Sequence, residues 1–195
     1  MHRATRKLRE EHRSISAVLS GLRELARMAE QSDVRPDLAA ARAMIYYIDT
    51  FPERLHHPKE DEHLFARLLQ RAPEAAPLVR ELQAEHGEGA RLVRELERAV
   101  LSYEQAWPQG GEAFRRTVET YADFHWRHMR KEELTLLPLA ERRLSGEDWA
   151  AIEAAFAANE DPVAGSAEHD YQQLFKRIAE IAPAPVGLGA PWKGA

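Results

Sequence analysis

Twice in this chain a histidine stands four residues before a glutamate. The first copy is His56-His57-Pro58-Lys59-Glu60-Asp61-Glu62-His63-Leu64-Phe65, and the second is His128-Met129-Arg130-Lys131-Glu132-Glu133. On a helix, positions i and i+4 lie on one face, one turn apart, so each pair can grip one cation. The copies are seventy-two residues apart and share their flanks: Lys59 and Lys131 before the glutamate, Asp61 and Glu133 after it, then Leu64-Phe65 and Leu136-Leu137. One His-x-x-x-Glu is a weak signal in a helical protein, and two with matching flanks are a strong one.

Two further histidines belong to the pattern. His12 falls within the helical stripe Leu8, Ile15, Leu19 and Leu22, and His86 within the stripe Val79, Leu82, Val93, Leu96 and Val100, so both point inward. His12 precedes His56 by 44 residues and His86 precedes His128 by 42, which makes the core two helix-turn-helix units, each reading His … His-x-x-x-Glu. Packed together, they gather four imidazoles and two carboxylates. A lone inward histidine is more often hydrogen-bonded filler than a ligand. Two carboxylates buried beside four imidazoles are costly without cations. Imidazole with carboxylate suits iron, manganese or zinc, and Glu60 and Glu132 are placed to bridge two ions. Such a set leaves coordination positions for water or a small ligand.

The other polar residues carry less. His57 lies about 100° around the helix from His56 and is expected to face away or towards a neighbouring helix. His63 and His125 stand near the ligand face as outer partners, spare ligands or surface residues. Asp61 and Glu133 read as solvated or as supports of the ligands, and Glu85 and Glu88 as surface acids. Tyr46, Tyr47 and Tyr121 read as packing aromatics, with a hydrogen bond near the site as the alternative, and His2 and His169 have no ligand-like context.

The elements that must position these residues are helices. Periodicity predicts helices over about 5–30, 37–71, 77–106 and 112–144, with shorter ones over 146–158 and 167–181. Pro52 and Pro58 should each remove a backbone hydrogen bond beside His56 and Glu60 and bend the helix, and Pro138 is expected to bend the last turns of the fourth helix. Ser145-Gly146-Glu147-Asp148 reads as an N-terminal cap, Asn159-Glu160-Asp161-Pro162 as a break, and Ser166 as a second cap. The fold expected is all-α: an up-down-up-down antiparallel four-helix bundle over 1–145, a C-terminal helix pair over 146–181 packed on it, and an irregular tail over 182–195.

Composition narrows the classes. The chain has 195 residues, 44% hydrophobic and 30% charged, with a net charge of −5. Basic residues are interleaved with acids, so no nucleic-acid surface is expected. With no cysteine, thiolate metal sites, disulfides and cysteine nucleophiles are excluded. No apolar run is long enough to span a membrane, and a cytoplasmic location is expected by default.

The motif, order and spacing of His12, His56 to Phe65, His86 and His128 to Glu133 resemble the hemerythrin-like HHE cation-binding family over about residues 1–145. The resemblance implies a four-helix bundle with two non-haem iron ions, oxo- or hydroxo-bridged, held by His12, His56, Glu60, His86, His128 and Glu132. It implies a small diatomic ligand or peroxide as partner, with a function in binding, sensing or handling oxygen, peroxide or nitric oxide. A di-iron enzyme reducing oxygen or peroxide, and a helical scaffold stabilised by metal, are the alternatives. Oxygen-carrying members place a further histidine four residues after the one on the third helix. Here that position is Ala90, which speaks against simple oxygen transport.

Overall fold

The computed structural model describes residues 2–158 and 167–192. Among these residues the chain is helical, with no strand beyond an isolated bridge between Pro183 and Gly189. Four long rods carry the fold: α1 (Arg3–Glu30), α2 (39–71), α3 (Ala76–Ala106) and α4 (111–143). The shorter α5 (Gly146–Ala158) and α6 (Ala167–Ile181) follow. α1 and α3 each pack against both α2 and α4, which closes the four rods into a bundle. α5 lies on α1 and on the stretch Glu60–Phe65, and α6 lies along the first part of α2. Boundaries differ from the sequence expectation by a residue or two, as frayed ends do.

The apolar stripes produce this packing. Leu8, Ile15, Leu19 and Leu22 of α1 are 2% exposed or less, as are Val79, Leu82, Val93 and Leu96 of α3. Burying each such side chain is worth about 1.5–3 kcal/mol. The core falls into two clusters. One gathers Ile15 to Ala29 of α1 with Leu38 to Ile48, Leu92 to Tyr103 and Phe114 to Met129. The other gathers Leu8 with Leu64, Phe65, Leu68, Val79, Leu82, Leu136 and Leu137. His12, His56, Glu60, His86, His128 and Glu132 occupy the sequence positions between the two clusters, so a polar layer divides the core.

α2 and α4 are not uniform α-helices. The prolines do not simply interrupt them. Pro52 opens a π-helical turn (Pro52–His56), Pro58 sits inside the short α-turn His57–Lys59, and a second π-turn follows at Glu60–Phe65. In α4 a π-turn runs over Glu132–Leu136, and Pro138 then lies at the start of Leu137–Arg143. The missing proline donors are absorbed by wider hydrogen-bonded loops: the His56 amide donates to the Phe51 carbonyl at 3.0 Å, five residues back. Glu60 and Glu132 therefore each open a π-turn, a feature that often marks functional positions.

The connections follow ordinary turn chemistry. Gly110 supplies a positive φ of 87° between α3 and α4, a conformation that glycine adopts without steric cost. Ser145 and Asp148 close a reciprocal cap on α5: the Asp148 amide donates to Ser145 Oγ at 3.2 Å, and the Ser145 amide donates to Asp148 Oδ2 at 2.9 Å. Arg71 Nε donates to the same carboxylate at 2.8 Å and ties α5 to the end of α2. The expected break at Asn159 to Pro162 and cap at Ser166 lie outside the described residues. Beyond α6, the Leu188 amide donates to the Ala179 carbonyl at 2.8 Å, and Trp192 Nε1 donates to the Asp37 carbonyl at 3.2 Å. Among the described residues no helix is long and apolar enough to cross a membrane.

Candidate metal centre

The six residues singled out by spacing converge. His12 comes from α1, His56 and Glu60 from α2, His86 from α3, and His128 and Glu132 from α4. All are buried: His12 is 3% exposed, His86 7%, and the other four 1% each. Their donor atoms form two groups, His12, His56, Glu60 and Glu132, and His86, His128, Glu60 and Glu132, with the atoms of each within 4.8 Å of one another. Both glutamates belong to both groups.

The two halves mirror one another. His12 Nε2 and His56 Nε2 are 3.1 Å apart, with the rings crossed at 71°. His86 Nε2 and His128 Nε2 are 3.2 Å apart, with the rings crossed at 72°. His12 Nε2 lies 3.3 Å from Glu132 Oε2, and His128 Nε2 lies 3.3 Å from Glu132 Oε1. Glu60 is slightly farther away, with Oε1 3.6 Å from His56 Nε2 and Oε2 3.7 Å from His86 Nε2.

An outer ring of carboxylates fixes the imidazoles. His12 Nδ1 donates to Glu133 at 2.9 Å, His56 Nδ1 to Glu11 at 2.7 Å, His86 Nδ1 to Asp61 at 3.1 Å, and His128 Nδ1 to Glu85 at 2.9 Å. Each histidine thus spends its N–H outward and turns the Nε2 lone pair inward, which is the tautomer a metal requires. Two such lone pairs about 3 Å apart repel unless a cation lies between them. Donors roughly 2.1 Å from an ion stand about 3 Å from each other at right angles. Glu60 Oε2 and both oxygens of Glu132 have no hydrogen-bond partner among the described residues. Buried carboxylate oxygens without partners, facing imidazole lone pairs, are the chemistry of a cation site.

The electrostatics agree. Burial and the neighbouring Glu132 raise the Glu60 carboxyl well above the usual range. Burial works against charge on Glu132 too, but His128, His12 and His86 outweigh it and hold that carboxyl well below its usual value. Burial lowers the histidines as well, yet Glu132 and Glu133 raise His12 to about 9, and Glu132 and Glu85 raise His128 to about 9. His56 is lowered because its burial outweighs Glu11.

Of the two positions expected for His57, the structure shows the one towards a neighbouring helix: it is 4% exposed, stacks on His86 of α3 at 4.1 Å, and its Nδ1 donates to Glu53 at 3.2 Å. Other expectations need correcting. Glu85 is not a free surface acid, since it holds both His128 and Lys131, whereas Glu88 pairs with Arg91 at the surface. Tyr121 does more than pack, donating its hydroxyl to Glu53 at 3.2 Å. His125 is 1% exposed, with Nε2 3.4 Å from Glu53. His63 lies edge-on to Phe156 of α5, away from both groups, Tyr46 is exposed, and Tyr47 packs on Phe51. His2 stacks on Trp149. Glu11 and Glu53 were missed. A signal for Glu11 was present, because Glu11-His12 and Glu85-His86 are the same dipeptide at equivalent places.

The sequence matches the hemerythrin HHE cation-binding domain across residues 3–140. The chain belongs to that family. The matched span contains all four rods to within a few residues and every member of both donor groups. A comparison with curated proteins finds no match. Within the matched span the paired donor groups are His/Glu clusters that could hold a metal ion, and Glu11, Asp61, Glu85 and Glu133 bond to their histidines.

Proposed function

We propose that this HHE-domain protein holds two non-haem iron ions and binds, senses or handles oxygen, peroxide or nitric oxide at them. His12 and His56 serve one ion, His86 and His128 the other, and Glu60 and Glu132 reach both. The observation that carries this reading is the sharing of two partnerless, buried glutamates by two sets of crossed imidazoles. In this reading the four rods run up-down-up-down, as their short connections at 31–38, 72–75 and 107–110 favour.

The ions, when bound, supply open coordination and redox chemistry for a small ligand. The protein supplies the rest. The outer carboxylates orient the imidazoles, and the two apolar clusters shield the layer from bulk water. A cavity of about 510 Å³ is lined by His12, Trp126, Met129 and Glu133. Manganese or zinc would accept the same donors.

The test is metal content after expression with iron, read with the charge-transfer absorption of the ferric protein. Two irons per chain, lost on replacing Glu60 and Glu132, are the expected result. A folded protein that takes up no metal would overturn the proposal.

A further inference from the structure

Beside the six donors lies a second buried polar cluster. Glu53 and His57 stand one turn apart on α2, Tyr121 and His125 one turn apart on α4, and the two pairs face each other. His57, Tyr121 and His125 are at most 4% exposed, and the Glu53 side chain is 5% exposed. Glu53 ties them together: Oε2 accepts the His57 Nδ1 proton at 3.2 Å, and Oε1 accepts the Tyr121 hydroxyl at 3.2 Å and lies 3.4 Å from His125 Nε2. That His125 nitrogen has no hydrogen-bond partner among the described residues. α3 approaches closely through Gly89, where a Cβ would lie 3.0 Å from Glu53 Oε1 and 3.2 Å from His125 Nε2.

With the Nδ1 proton given to Glu53, the other nitrogen of His57 carries a lone pair and accepts hydrogen bonds. His57 has a ring nitrogen within 4.8 Å of donor nitrogens of both His86 and His128. Its ring does not sit as a ligand of that half would. The paired imidazoles cross at 71° and 72°, whereas His57 lies parallel to His86 within 8°. Two ligands at right angles on one ion cannot stack face to face. His57 therefore overhangs the His86–His128 half.

The other half has no such group. The seventy-two-residue offset that maps His56 on His128 and Glu60 on Glu132 maps His57 on Met129. One half is overhung by an imidazole fixed by a carboxylate, and the other by an apolar thioether. Packing alone does not require a Glu–His pair here, because an aromatic ring would stack on His86 equally well.

We propose that His57, positioned by Glu53 and Tyr121, is a hydrogen-bonding residue for the small ligand, and that it selects hydrogen-bonding ligands of the peroxide type over neutral diatomic gases at the His86–His128 half. The inference rests on the two-ion reading above. With its proton on Nδ1, His57 offers an acceptor nitrogen: a ligand with an O–H gains a directed hydrogen bond there, and a diatomic with no proton to donate gains little.

The probe is hydroxide, a stable anion that carries an O–H to donate, with nitric oxide as the comparison that carries none. Hydroxide is titrated into the ferric protein by raising the pH and nitric oxide into the ferrous protein, both followed by absorption, with iron content measured on every sample. His57→Phe keeps the stacking surface and removes the nitrogen. It is expected to keep two irons, weaken hydroxide about tenfold, and leave nitric oxide within about twofold. Tyr121→Phe, which loosens Glu53, is expected to weaken hydroxide by a smaller factor, about threefold. Unchanged hydroxide affinity in His57→Phe, or equal weakening of both ligands, would overturn the proposal. Loss of an iron would do so as well, by making His57 a ligand. If His57→Phe does not fold, unchanged hydroxide affinity in Tyr121→Phe overturns it. A wild-type protein without iron sinks this inference together with the two-ion reading, whereas an iron-replete protein indifferent to these substitutions sinks this inference alone.

Discussion

Glu132 is the residue on which the centre turns. Both its oxygens lack hydrogen-bond partners, and it stands 3.3 Å from one imidazole of each half. Glu132→Gln keeps the shape, removes the charge and sets an amide donor among lone pairs. Its expected outcome is loss of metal from both halves, measured as metal per chain after desalting. The outer acids should matter by a smaller factor. Glu85→Gln leaves His128 without its anionic partner, and a drop of about 10- to 100-fold in metal affinity is expected, read by competition with a chelator. Glu88→Gln, one turn away but paired only with Arg91, is the control and should leave affinity unchanged.

At the scale of elements, the π-turns explain how α2 and α4 accommodate their prolines and still aim their ligands. Phe65, at the end of the π-turn that Glu60 opens, is fully buried and lies parallel to His86 at 5.7 Å. Phe65→Ala would leave a cavity under that ring. A cost of about 3–5 kcal/mol is expected, measured by urea unfolding of the metal-free protein. α5 is held differently, by the Ser145–Asp148 cap and by Arg71. Asp148→Ala should cost about 1 kcal/mol and leave metal content unchanged, because the cap touches none of the donors.

For the whole molecule, the polar layer destabilises the bundle without cations and stabilises it with them. Metal at a hundredfold excess over its dissociation constant should add about 2.7 kcal/mol per ion, seen as a higher melting temperature that a chelator reverses. The pH dependence has a definite sign. His12 and His128 are raised from 6.5 to about 9 in the folded, metal-free chain. A raised folded value contributes stability that is complete below pH 6.5 and lost as pH rises through 9. The contribution of these two groups to the melting temperature of the metal-free protein should therefore fall across that window. In the metal-loaded protein the same nitrogens have lost their protons to the ions, so the fall should vanish there. Metal affinity should rise over the same range.

The periodic apolar stripes determined the helices, and the duplicated His-x-x-x-Glu with its two upstream histidines determined which six residues meet. Both signals are local and repeat along the chain, so both are legible in one dimension. The tertiary structure decided what the local pattern could not carry. Glu11, Glu85, Asp61 and Glu133 look like any helical surface acids until a neighbouring rod brings an imidazole nitrogen against each. For His57 the helical wheel left two positions, away from the bundle or towards a neighbouring rod, and α3 decided between them by setting His86 against its ring. Glu53, Tyr121 and His125 lie on two rods far apart in sequence, and only the packing of both rods on α3, which comes close through Gly89, makes them one cluster. Contacts between helices depend on rotation and register, and those are fixed by the packed core rather than by the spacing within any one helix.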